Sequence, residues 1–322
     1  MTTILLTSAG RRVELLHCFR ADAGRLGLAL RVLAADLRPE LSAACQAADA
    51  AFAVPRCTEE TYVPALLEIC RREGVRLLVP TIDTELAVLA AHRETFARVG
   101  TLVAVSSPAV IAVARDKLRT AEVFAAAGVT VPRTAPLAAL LAEPGSWRWP
   151  VILKPAGGSS SVGLQVAGTP EDARRLGAAR GDYLAQELWL GREFTVNLFF
   201  TADGTLACVV PHWRIETRGG EVSKGRTEAV PALADAAVKI AAALPGARGA
   251  LCFQAILAED GRAGVFEINA RFGGGYPLAH RAGGRFSQWL LEEAGGLPSS
   301  AVPDWQPGVT MLRYDAAVFS DD

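Results

Sequence analysis

Two apolar runs near the end of the chain flank the dipeptide Asp260-Gly261, which is a strong signal for a β-hairpin. The two runs are residues 250–257 and 265–269. With that dipeptide at the centre of the turn, Glu259 lies opposite Arg262 in the ladder. The same register places Gln254 directly opposite Glu267, so their side chains share one face of the sheet. This hairpin constrains the fold more than any other segment, because it fixes which side chains can meet.

The second strand of the predicted hairpin carries a polar face. Alternate residues of a strand share a face, so Glu267, Asn269 and Arg271 point one way while the residues between them face the core. With Gln254 across the ladder, this face offers three oxygen ligands that suit Mg²⁺, with Mn²⁺ as the alternative ion. Residues 273–275 are glycines, which is typical of backbone that approaches a phosphate. An exposed polar strand face is the alternative interpretation.

Composition and charge favour a protein that acts on small molecules. The chain has 322 residues, of which 51% are hydrophobic and 21% charged, and this size allows two or three domains or lobes. A net charge of −1 without a basic run gives no support for nucleic-acid or membrane-surface binding. Six cysteines form no C-x-x-C pair, and the sequence shows neither a signal peptide nor a membrane-spanning apolar run. We therefore expect a cytoplasmic protein.

The first hundred residues alternate short apolar runs with amphipathic stretches, which predicts a doubly wound α/β domain with a parallel sheet over residues 1–112. The predicted strands are residues 4–7, 32–35, 51–54, 77–80 and 102–105, and the predicted helices are residues 13–26, 59–73 and 84–99. The turn at residues 8–12 lacks G-x-G-x-x-G, so a small anion or substrate group is favoured there over a dinucleotide. Asp36, Asp83 and Glu85 lie just past strand ends, where they either contact substrate or cap helices.

Residues 113–322 differ in character, because a helical stretch is followed by strands with antiparallel signals. The predicted elements are a helix over residues 116–127, strands over residues 183–188, 194–201 and 206–210, and a helix over residues 233–244. This pattern indicates an α+β domain.

A segment rich in glycine and serine follows the buried strand at residues 151–155. Lys154 lies near the end of that strand, and the segment contains Gly157, Gly158, Ser159, Ser160 and Ser161. Backbone N–H groups and hydroxyls in such a loop can bind phosphates, while the lysine supplies positive charge. The G-K-[ST] ending is missing, so the loop is not a Walker A motif. A surface hairpin is the alternative interpretation.

Two further segments fit a nucleotide site. Lys117 lies near the start of the helix at residues 116–127, where it points at the same phosphates if the lobes fold together; a solvated lysine is the alternative. Residues 185–196 offer strand backbone for a purine edge and apolar walls for its faces, and Glu193 can accept hydrogen bonds from ribose hydroxyls. Together these segments predict an ATP cleft.

With these motifs in this order, the chain resembles the ATP-grasp superfamily, and within it the carbamoyl-phosphate-synthase-type ligases and D-alanine–D-alanine ligase. The matched motifs are R-D-K at residues 115–117, V-I-L-K-P at 151–155 with its glycine loop, Q-E-x-x-x-G-R-E-F-T-V at 186–196, Gln254, and E-I-N-A-R-F at 267–272. The resemblance implies an α/β pre-ATP-grasp domain followed by a two-lobed ATP-grasp domain at residues 113–322. Its smaller lobe covers about residues 113–187 and its larger lobe about residues 188–322.

The resemblance also implies a role for each matched residue. It implies that Lys117 and Lys154 contact the ATP phosphates, and that Glu193 binds the ribose. It implies that adenine is bound by Gln186, Glu187, Leu188 and Trp189. Two Mg²⁺ ions would be held by Gln254, Glu267 and Asn269, and Arg271 would contact the transferred phosphoryl group. Many ligases of the superfamily carry an acidic residue at the position of Gln254, whereas the synthase-type members share the glutamine. A monomer and a homodimer both remain open, because related ligases often form dimers.

The implied chemistry is attack of a substrate carboxylate on the γ-phosphate of ATP, followed by capture of the acyl phosphate by an amine. We therefore expect an ATP-dependent carboxylate–amine ligase that releases ADP and phosphate. An ATP-grasp kinase and a non-catalytic ATP-binding regulatory module are the alternatives. We expect Arg214 to contact the acyl phosphate, and the same polar segment contains His212 and Lys224. The sequence leaves the identity of both substrates open.

Overall fold

The computed structural model of the protein describes residues 1–156, 163–178 and 182–320. Within these residues, the strands form three sheets of five, four and six strands. None of the described helices is long and apolar enough to cross a membrane.

The N-terminal part is built on a five-stranded parallel sheet, and this confirms the predicted doubly wound fold class. Its strands are β1 (Thr2–Thr7), β2 (Leu30–Asp36), β3 (Ala50–Ala53), β4 (Val75–Pro80) and β5 (Leu102–Val103), in the spatial order β3-β2-β1-β4-β5. Its helices are α1 (Val13–Arg25), α2 (Ala43–Ala47), α3 (Tyr62–Glu73), α4 (Asp83–Ala91), α5 (Arg93–Arg98) and α6 (Pro108–Arg115). The strand order reverses between β1 and β4, and open α/β sheets bind ligands outside the carboxyl ends of the strands at such a point.

The single helix predicted over residues 84–99 is in fact two helices, α4 and α5. The backbone N–H of His92 donates to the carbonyl of Leu89, three residues back, rather than to that of Val88. The ring Nδ1 of His92 instead lies 2.8 Å from the Val88 carbonyl oxygen. Because this arrangement tightens the last turn, α4 ends at Ala91.

A buried carboxylate shapes the loop at the switch point of the parallel sheet. Glu85 is fully buried, and it accepts hydrogen bonds from the backbone N–H groups of Thr81 (2.8 Å) and Ile82 (3.1 Å) at the start of α4. It also accepts from the hydroxyls of Ser8 (3.1 Å) and Tyr62 (2.6 Å). Burial raises the pKa of Glu85 although these donors oppose the shift. Of the two roles left open by the sequence, the geometry gives Glu85 the capping role.

The middle of the chain forms a small antiparallel sheet. The helix α7 (Lys117–Ala126) leads into β6 (Thr134–Pro136), α8 (Leu137–Ala142), β7 (Val151–Pro155), β8 (Gln165–Ala167), α9 (Pro170–Gly177) and β9 (Tyr183–Glu187). The strands lie in the order β6-β9-β7-β8. Along β7, Val151 and Leu153 face a small core that includes Leu140 and Trp147, so Ile152 and Lys154 face the opposite side.

The rest of the chain forms the six-stranded antiparallel sheet. Its strands are β10 (Arg192–Phe200), β11 (Leu206–Arg218), β12 (Glu221–Thr227), β13 (Gly249–Leu257), β14 (Ala263–Asn269) and β15 (Thr310–Leu312), and its helices are α10 (Pro231–Ala243), α11 (Tyr276–Arg281) and α12 (Phe286–Gly295). The spatial order is β14-β13-β10-β11-β12-β15. Strand β11 is longer than the predicted residues 206–210, because its second half pairs with β12.

The turn between β13 and β14 differs from the predicted two-residue turn. Ala258 pairs with Arg262, and Gly261 has a φ of +83°, so the loop has three residues and Glu259 does not face Arg262. The ladder then shifts register by one residue at Phe266, which is a β-bulge. The bulge compensates for the extra turn residue, so Gln254 lies opposite Glu267 as predicted.

Both faces of the six-stranded sheet are buried. On one face, Phe253 belongs to a core that includes Ile240 of α10 and Phe124 of α7. On the other face, Phe199 packs against Trp289 of α12, with ring centroids 4.9 Å apart. Both cores continue into the parallel sheet, so the N-terminal part and the six-stranded sheet are packed together.

A buried aspartate links α1 to the two C-terminal helices. Asp22 is fully buried, and its Oδ2 accepts a hydrogen bond from the hydroxyl of Ser287 (2.6 Å) and lies 2.9 Å from Nε2 of His280. The guanidinium groups of Arg25 and Arg285 lie 3.6 and 3.7 Å from Oδ1. The carboxylate therefore balances positive charge between elements that are distant in sequence.

Replacing this carboxylate should destabilise the whole fold. We expect Asp22→Ala to lower the free energy of unfolding by about 3–5 kcal/mol, because it removes the buried carboxylate on which Ser287, His280 and Arg285 converge. The matched control is Asp315→Ala, which removes an exposed ion pair with Arg218 and should leave the unfolding midpoint close to that of the wild type. Urea denaturation of both variants measures the difference. Equal unfolding midpoints for the two variants would contradict the role of Asp22.

Candidate active site

A cleft of about 720 Å³ lies where the three sheets meet, and ligand sites of globular proteins have this size. The cleft brings together every predicted site residue that the structure describes, namely Lys117, Lys154, Gln186, Glu187, Leu188, Trp189, Glu193, Arg214, Gln254, Glu267, Asn269 and Arg271. Gly157, Gly158, Ser159, Ser160 and Ser161 lie outside the described residues.

Lys154 is a buried cation in the wall of the cleft. Its Nζ donates to Oε1 of Gln186 at 3.0 Å and to the carbonyl oxygen of Phe266 at 3.5 Å. The latter contact joins the small sheet to the bulge of the β13–β14 hairpin. Burial lowers the pKa of Lys154 to about 8, although the nearby carboxylate of Glu267 opposes this shift. The effect of burial on the ammonium therefore exceeds the opposing effect of that carboxylate.

The residues predicted to contact adenine are the last two residues of β9 and the two residues that follow it. The amide Nε2 of Gln186 donates to the hydroxyl of Thr134 at 2.8 Å, so the side chain is held between Thr134 and the lysine ammonium. The backbone N–H of Glu187 donates to the carbonyl of Arg133 at 2.9 Å, and this removes it as a donor for a ligand. Trp189 packs over Gly264, where a Cβ would lie 2.7 Å from its ring. The glycine therefore allows the indole to lie flat against β14.

Glu193 and Arg214 lie beside each other, although the sequence assigned them to different parts of the substrate complex. The Nε of Arg214 lies 3.0 Å from Oε1 of Glu193, and this contact is an ion pair that lacks hydrogen-bond geometry. The guanidinium also donates to the Thr195 hydroxyl at 3.2 Å and to the Gly220 carbonyl at 2.9 Å. Arg214 thus connects β10 with the β11–β12 turn.

The polar face of the hairpin forms one end of the cleft. Gln254 and Glu267 are directly opposed, and Asn269 follows on the same face. Burial raises the pKa of Glu267, although the ammonium groups of Lys117 and Lys154 favour its charged form. One carboxylate and two amide oxygens match the few protein ligands that Mg²⁺ takes when phosphates and water complete its shell. The donor set therefore fits a nucleotide-bound Mg²⁺.

The described residues contain no group of three or more His, Cys, Asp or Glu side chains that could hold a metal ion without other ligands. Gln254, Glu267 and Asn269 are not such a group, because two of these three oxygen donors are amides. A metal ion bound to these three side chains would take phosphate oxygens as further ligands to complete its coordination shell.

Arg271 at the end of this face pairs with a carboxylate of the N-terminal part. Its Nε and Nη2 lie 3.1 and 2.7 Å from Oδ2 of Asp83, and Nη2 also donates to Oδ1 of Asn269 at 3.1 Å. Both members of the ion pair are largely buried. Asp83 lies at the switch point of the parallel sheet, so its position past a strand end was the one sequence signal for this contact.

The three glycines at residues 273–275 each leave room for a different side chain. A Cβ on Gly273 would lie 2.9 Å from Sγ of Cys252, and one on Gly274 would lie 2.6 Å from the carboxyl carbon of Glu221. A Cβ on Gly275 would lie 2.5 Å from Nε2 of His212. Side-chain packing alone is therefore enough to require glycine at these three positions, and approach of this backbone to a phosphate stays a prediction.

The two alternative residues near Arg214 do not line the cleft. His212 is fully buried, and burial lowers its pKa to about 3, with the charge of Arg214 adding to the shift. Its Nδ1 lies 3.1 Å from the side-chain amide of Asn197. Lys224 forms an exposed ion pair with Glu216 at 2.7 Å. The geometry therefore gives the imidazole a packing role and leaves the lysine at the surface.

Three charged residues surround the glycines; two of them had no sequence signal, and the third, Arg12, belongs to the turn at residues 8–12 where a small anion or substrate group was expected. Arg12, from the turn before α1, and Glu221, at the start of β12, both line the cleft. Arg313 follows β15 and donates to the carbonyl of Gly274. Arg12 and Arg313 are 301 positions apart in the chain, so no local motif could have grouped the three residues.

Comparison with models of protein families finds two matches. Residues 4–104 match the PylC-like N-terminal domain, and residues 114–275 match the ATP-grasp domain, which covers half of the chain. None of the curated proteins matches this sequence.

Solved structures share the fold over nearly the whole chain, each at 18% sequence identity. The biotin carboxylase domain of 2-oxoglutarate carboxylase from Hydrogenobacter thermophilus, in complex with MgADP, ADP and bicarbonate, has a TM-score of 0.74 and covers 95% of this chain and 72% of that chain. An L-amino acid ligase from Bacillus licheniformis has a TM-score of 0.69, and the match covers 93% of this chain and 75% of that chain. The N5-carboxyaminoimidazole ribonucleotide synthetase from Thermotoga maritima has a TM-score of 0.66, and the match covers 95% of this chain and 78% of that chain.

The family match covers the segment that contains the strand with Lys154, the hinge after β9 and the polar hairpin face. The structural comparisons add that this fold is shared with the biotin carboxylase domain, the L-amino acid ligase and the N5-carboxyaminoimidazole ribonucleotide synthetase. Both findings confirm the resemblance seen in the motifs, and this chain belongs to the ATP-grasp family.

Proposed function

We propose that this protein is an ATP-dependent ligase that joins a small-molecule carboxylate to an amine. The observation that carries the proposal is the clustering of Lys154, Glu267, Asn269 and Arg271 at one end of a single cleft. Two cations, one carboxylate and one amide oxygen there match the needs of phosphoryl transfer, which depends on positioning and charge neutralisation.

On this proposal, ATP lies along the cleft with its adenine at the hinge formed by Gln186, Glu187, Leu188 and Trp189. The carbonyl groups of the hinge and the N–H groups after Glu187 would bind the purine edge, since the N–H of Glu187 is already engaged. Glu193 would accept from the ribose hydroxyls, and this requires its ion pair with Arg214 to open or to share the carboxylate.

The phosphates would then reach Lys117 and Lys154. Burial lowers the pKa values of both ammonium groups, and bound phosphates would favour their charged forms. Gln254, Glu267 and Asn269 would hold Mg²⁺, which when bound neutralises the phosphate oxygens. The number of ions and the use of Mn²⁺ in its place belong to the same proposal.

The reaction proceeds in two transfers. A carboxylate oxygen of the first substrate attacks the γ-phosphorus, the bond to the β-phosphate oxygen breaks, and ADP leaves. The amine of the second substrate then attacks the acyl carbon, phosphate leaves, and the amine nitrogen gives up a proton. Arg271 would stabilise the transferred phosphoryl group, and Asp83 holds its guanidinium in place. Arg214 would contact the acyl phosphate from the opposite wall.

Two of the structural relatives are named for related chemistry, an L-amino acid ligase and a carboxyaminoimidazole ribonucleotide synthetase. The ligase proposal is tested by incubating the protein with ATP, Mg²⁺ and pairs of carboxylates and amines, including the amino acids. We expect equal amounts of ADP, phosphate and coupled product. ADP formed together with a stable phosphorylated substrate would identify a kinase instead, and ATP binding without turnover would identify a regulatory module.

Glu267→Gln should reduce turnover by at least about 100-fold, because it removes the one carboxylate of the proposed metal site. It should also weaken the Mg²⁺-dependent part of ADP binding while leaving the fold intact. The matched control is Glu259→Gln, an exposed position in the same hairpin. ADP titrations with and without Mg²⁺ measure the difference. Wild-type turnover in Glu267→Gln would refute the metal assignment.

Lys154→Met should weaken ADP binding by roughly 10- to 100-fold near pH 7, where the wild-type ammonium is charged. The pKa of Lys154 is about 8 in the free protein, and a bound phosphate raises it. Wild-type affinity should therefore fall as pH rises above 8, and the advantage over the variant should shrink. Calorimetry with ADP in EDTA, from pH 6.5 to pH 10, tests this without a metal ion. A ratio of affinities that does not change with pH would exclude Lys154 as the titrating phosphate contact.

A further inference from the structure

A second chamber of about 170 Å³ shares a wall with the main cleft. Arg12, Glu221, Val222, Gly273 and Gly274 line both spaces. The chamber is bounded by the turn before α1, the start of β12 and the glycines after β14, so it lies where the N-terminal part meets the six-stranded sheet. It therefore lies beside the phosphate end of the proposed ATP site.

In one wall of the chamber, the carboxylate of Glu221 lies between two guanidinium groups. Arg12 Nη1 lies 3.3 Å from Oε1 of Glu221, and Arg313 Nη1 lies 3.1 Å from Oε2. Burial works against ionisation of Glu221, but the two guanidinium groups outweigh it and hold its pKa below the usual value. One negative charge against two positive charges leaves the group with an excess of positive charge.

The remaining charged residues of the chamber do not remove this excess. Arg11, Glu14 and Arg218 also line it, and Arg218 is paired with Asp315 outside the chamber. Since Arg11 and Glu14 carry opposite charges, an anionic group of a ligand would still be needed to balance Arg12 and Arg313.

Arg12 is the guanidinium that faces both spaces. Burial lowers its pKa, while the charge of Glu221 opposes the shift and the neighbouring Arg271 adds to it. Within the described part of the chain, Glu221 is its one ion-pair partner. The other edge of the Arg12 guanidinium can therefore bind a carboxylate in a bidentate manner.

Glu221 is held in a fixed position by the chain around it. A Cβ on Gly274 would lie 2.6 Å from its carboxyl carbon, so the carboxylate packs directly against glycine backbone. Arg313 supports the same arrangement, since it pairs with Glu221 and donates to the carbonyl of Gly274. A fixed carboxylate would repel a simple anion at this place but would bind an ammonium group.

We propose that this chamber recognises an α-amino acid substrate, with the substrate carboxylate on Arg12 and the substrate ammonium on Glu221. The inference rests on the proposed ligase function and names the chemical class of one substrate. The 170 Å³ of the chamber would take the side chain of that amino acid. Arg313 would act as a positioning residue that holds Glu221.

The test measures binding without turnover. Calorimetry of the full chain saturated with MgADP is carried out with a panel of L- and D-α-amino acids. For the tightest binder, the N-acetyl derivative and the carboxamide are then measured. We expect each derivative to bind at least about tenfold more weakly, because each lacks one of the two charges. A panel without any binder, or derivatives that bind equally well, would overturn the proposal.

Two variants identify the residue that recognises each charge. Arg12→Ala should weaken binding of the amino acid by about 10- to 100-fold and abolish the preference over the carboxamide. Glu221→Gln should have the same effect on affinity and abolish the preference over the N-acetyl derivative. Lys224→Ala, an exposed residue on the same strand, is the control and should behave as the wild type. Unchanged MgADP affinity shows that each variant is folded, and variants that keep both preferences would overturn the assignment.

Failure of this inference can be distinguished from failure of the ligase proposal. If an amino acid binds as described but ATP yields no coupled product, the ligase proposal fails while the chamber assignment holds. If ADP, phosphate and product form equally well in wild type, Arg12→Ala and Glu221→Gln, the ligase proposal holds and the chamber assignment is overturned.

Discussion

The ion pair between Arg271 and Asp83 is the contact on which the arrangement of the cleft depends. It joins the end of the polar hairpin strand to the switch point of the parallel sheet, and the two residues are 188 positions apart in the chain. Both side chains are largely buried, so removal of either one would leave an unpaired buried charge. Glu85 caps the helix that starts at Asp83, and Asn269 accepts a further hydrogen bond from Arg271. Through these contacts, the N-terminal part positions the phosphate end of the site.

The sequence predicted the fold class and the group of cleft residues well, because both follow from local patterns. Period-two alternation places Lys154, Glu267 and Asn269 on one side of their strands, and a hairpin signal brings Gln254 to Glu267. The predicted pairing of Gln254 with Glu267 is correct, but the predicted two-residue turn does not explain it. The turn has one residue more than predicted, and the bulge at Phe266 restores the register. A bulge leaves no clear mark in a single sequence, although here it also turns a carbonyl toward the lysine.

The contacts that could not be predicted are those between distant elements. Arg12 and Glu221 meet only because α1 packs on the C-terminal helices, and no periodicity of either segment shows that packing. The glycines at residues 273–275 illustrate the same limit. A run of glycines indicates that space or backbone freedom is needed, but it does not tell whether a ligand or a side chain occupies that space. In this protein the side chains of Cys252, Glu221 and His212 do so.

The cleft buries more charge than its internal pairs can stabilise. The pKa of Lys154 is lowered and that of Glu267 is raised, so for both groups burial outweighs the attraction between them. Such a site costs stability in the ligand-free protein, and a ligand with phosphates and a divalent ion would recover that cost by completing the charge pairs. The same reasoning applies to Arg12, because burial lowers its pKa by more than the charge of Glu221 raises it. Buried charge in the cleft and in the chamber beside it favours two charged ligands bound side by side, which agrees with the proposed ligase function.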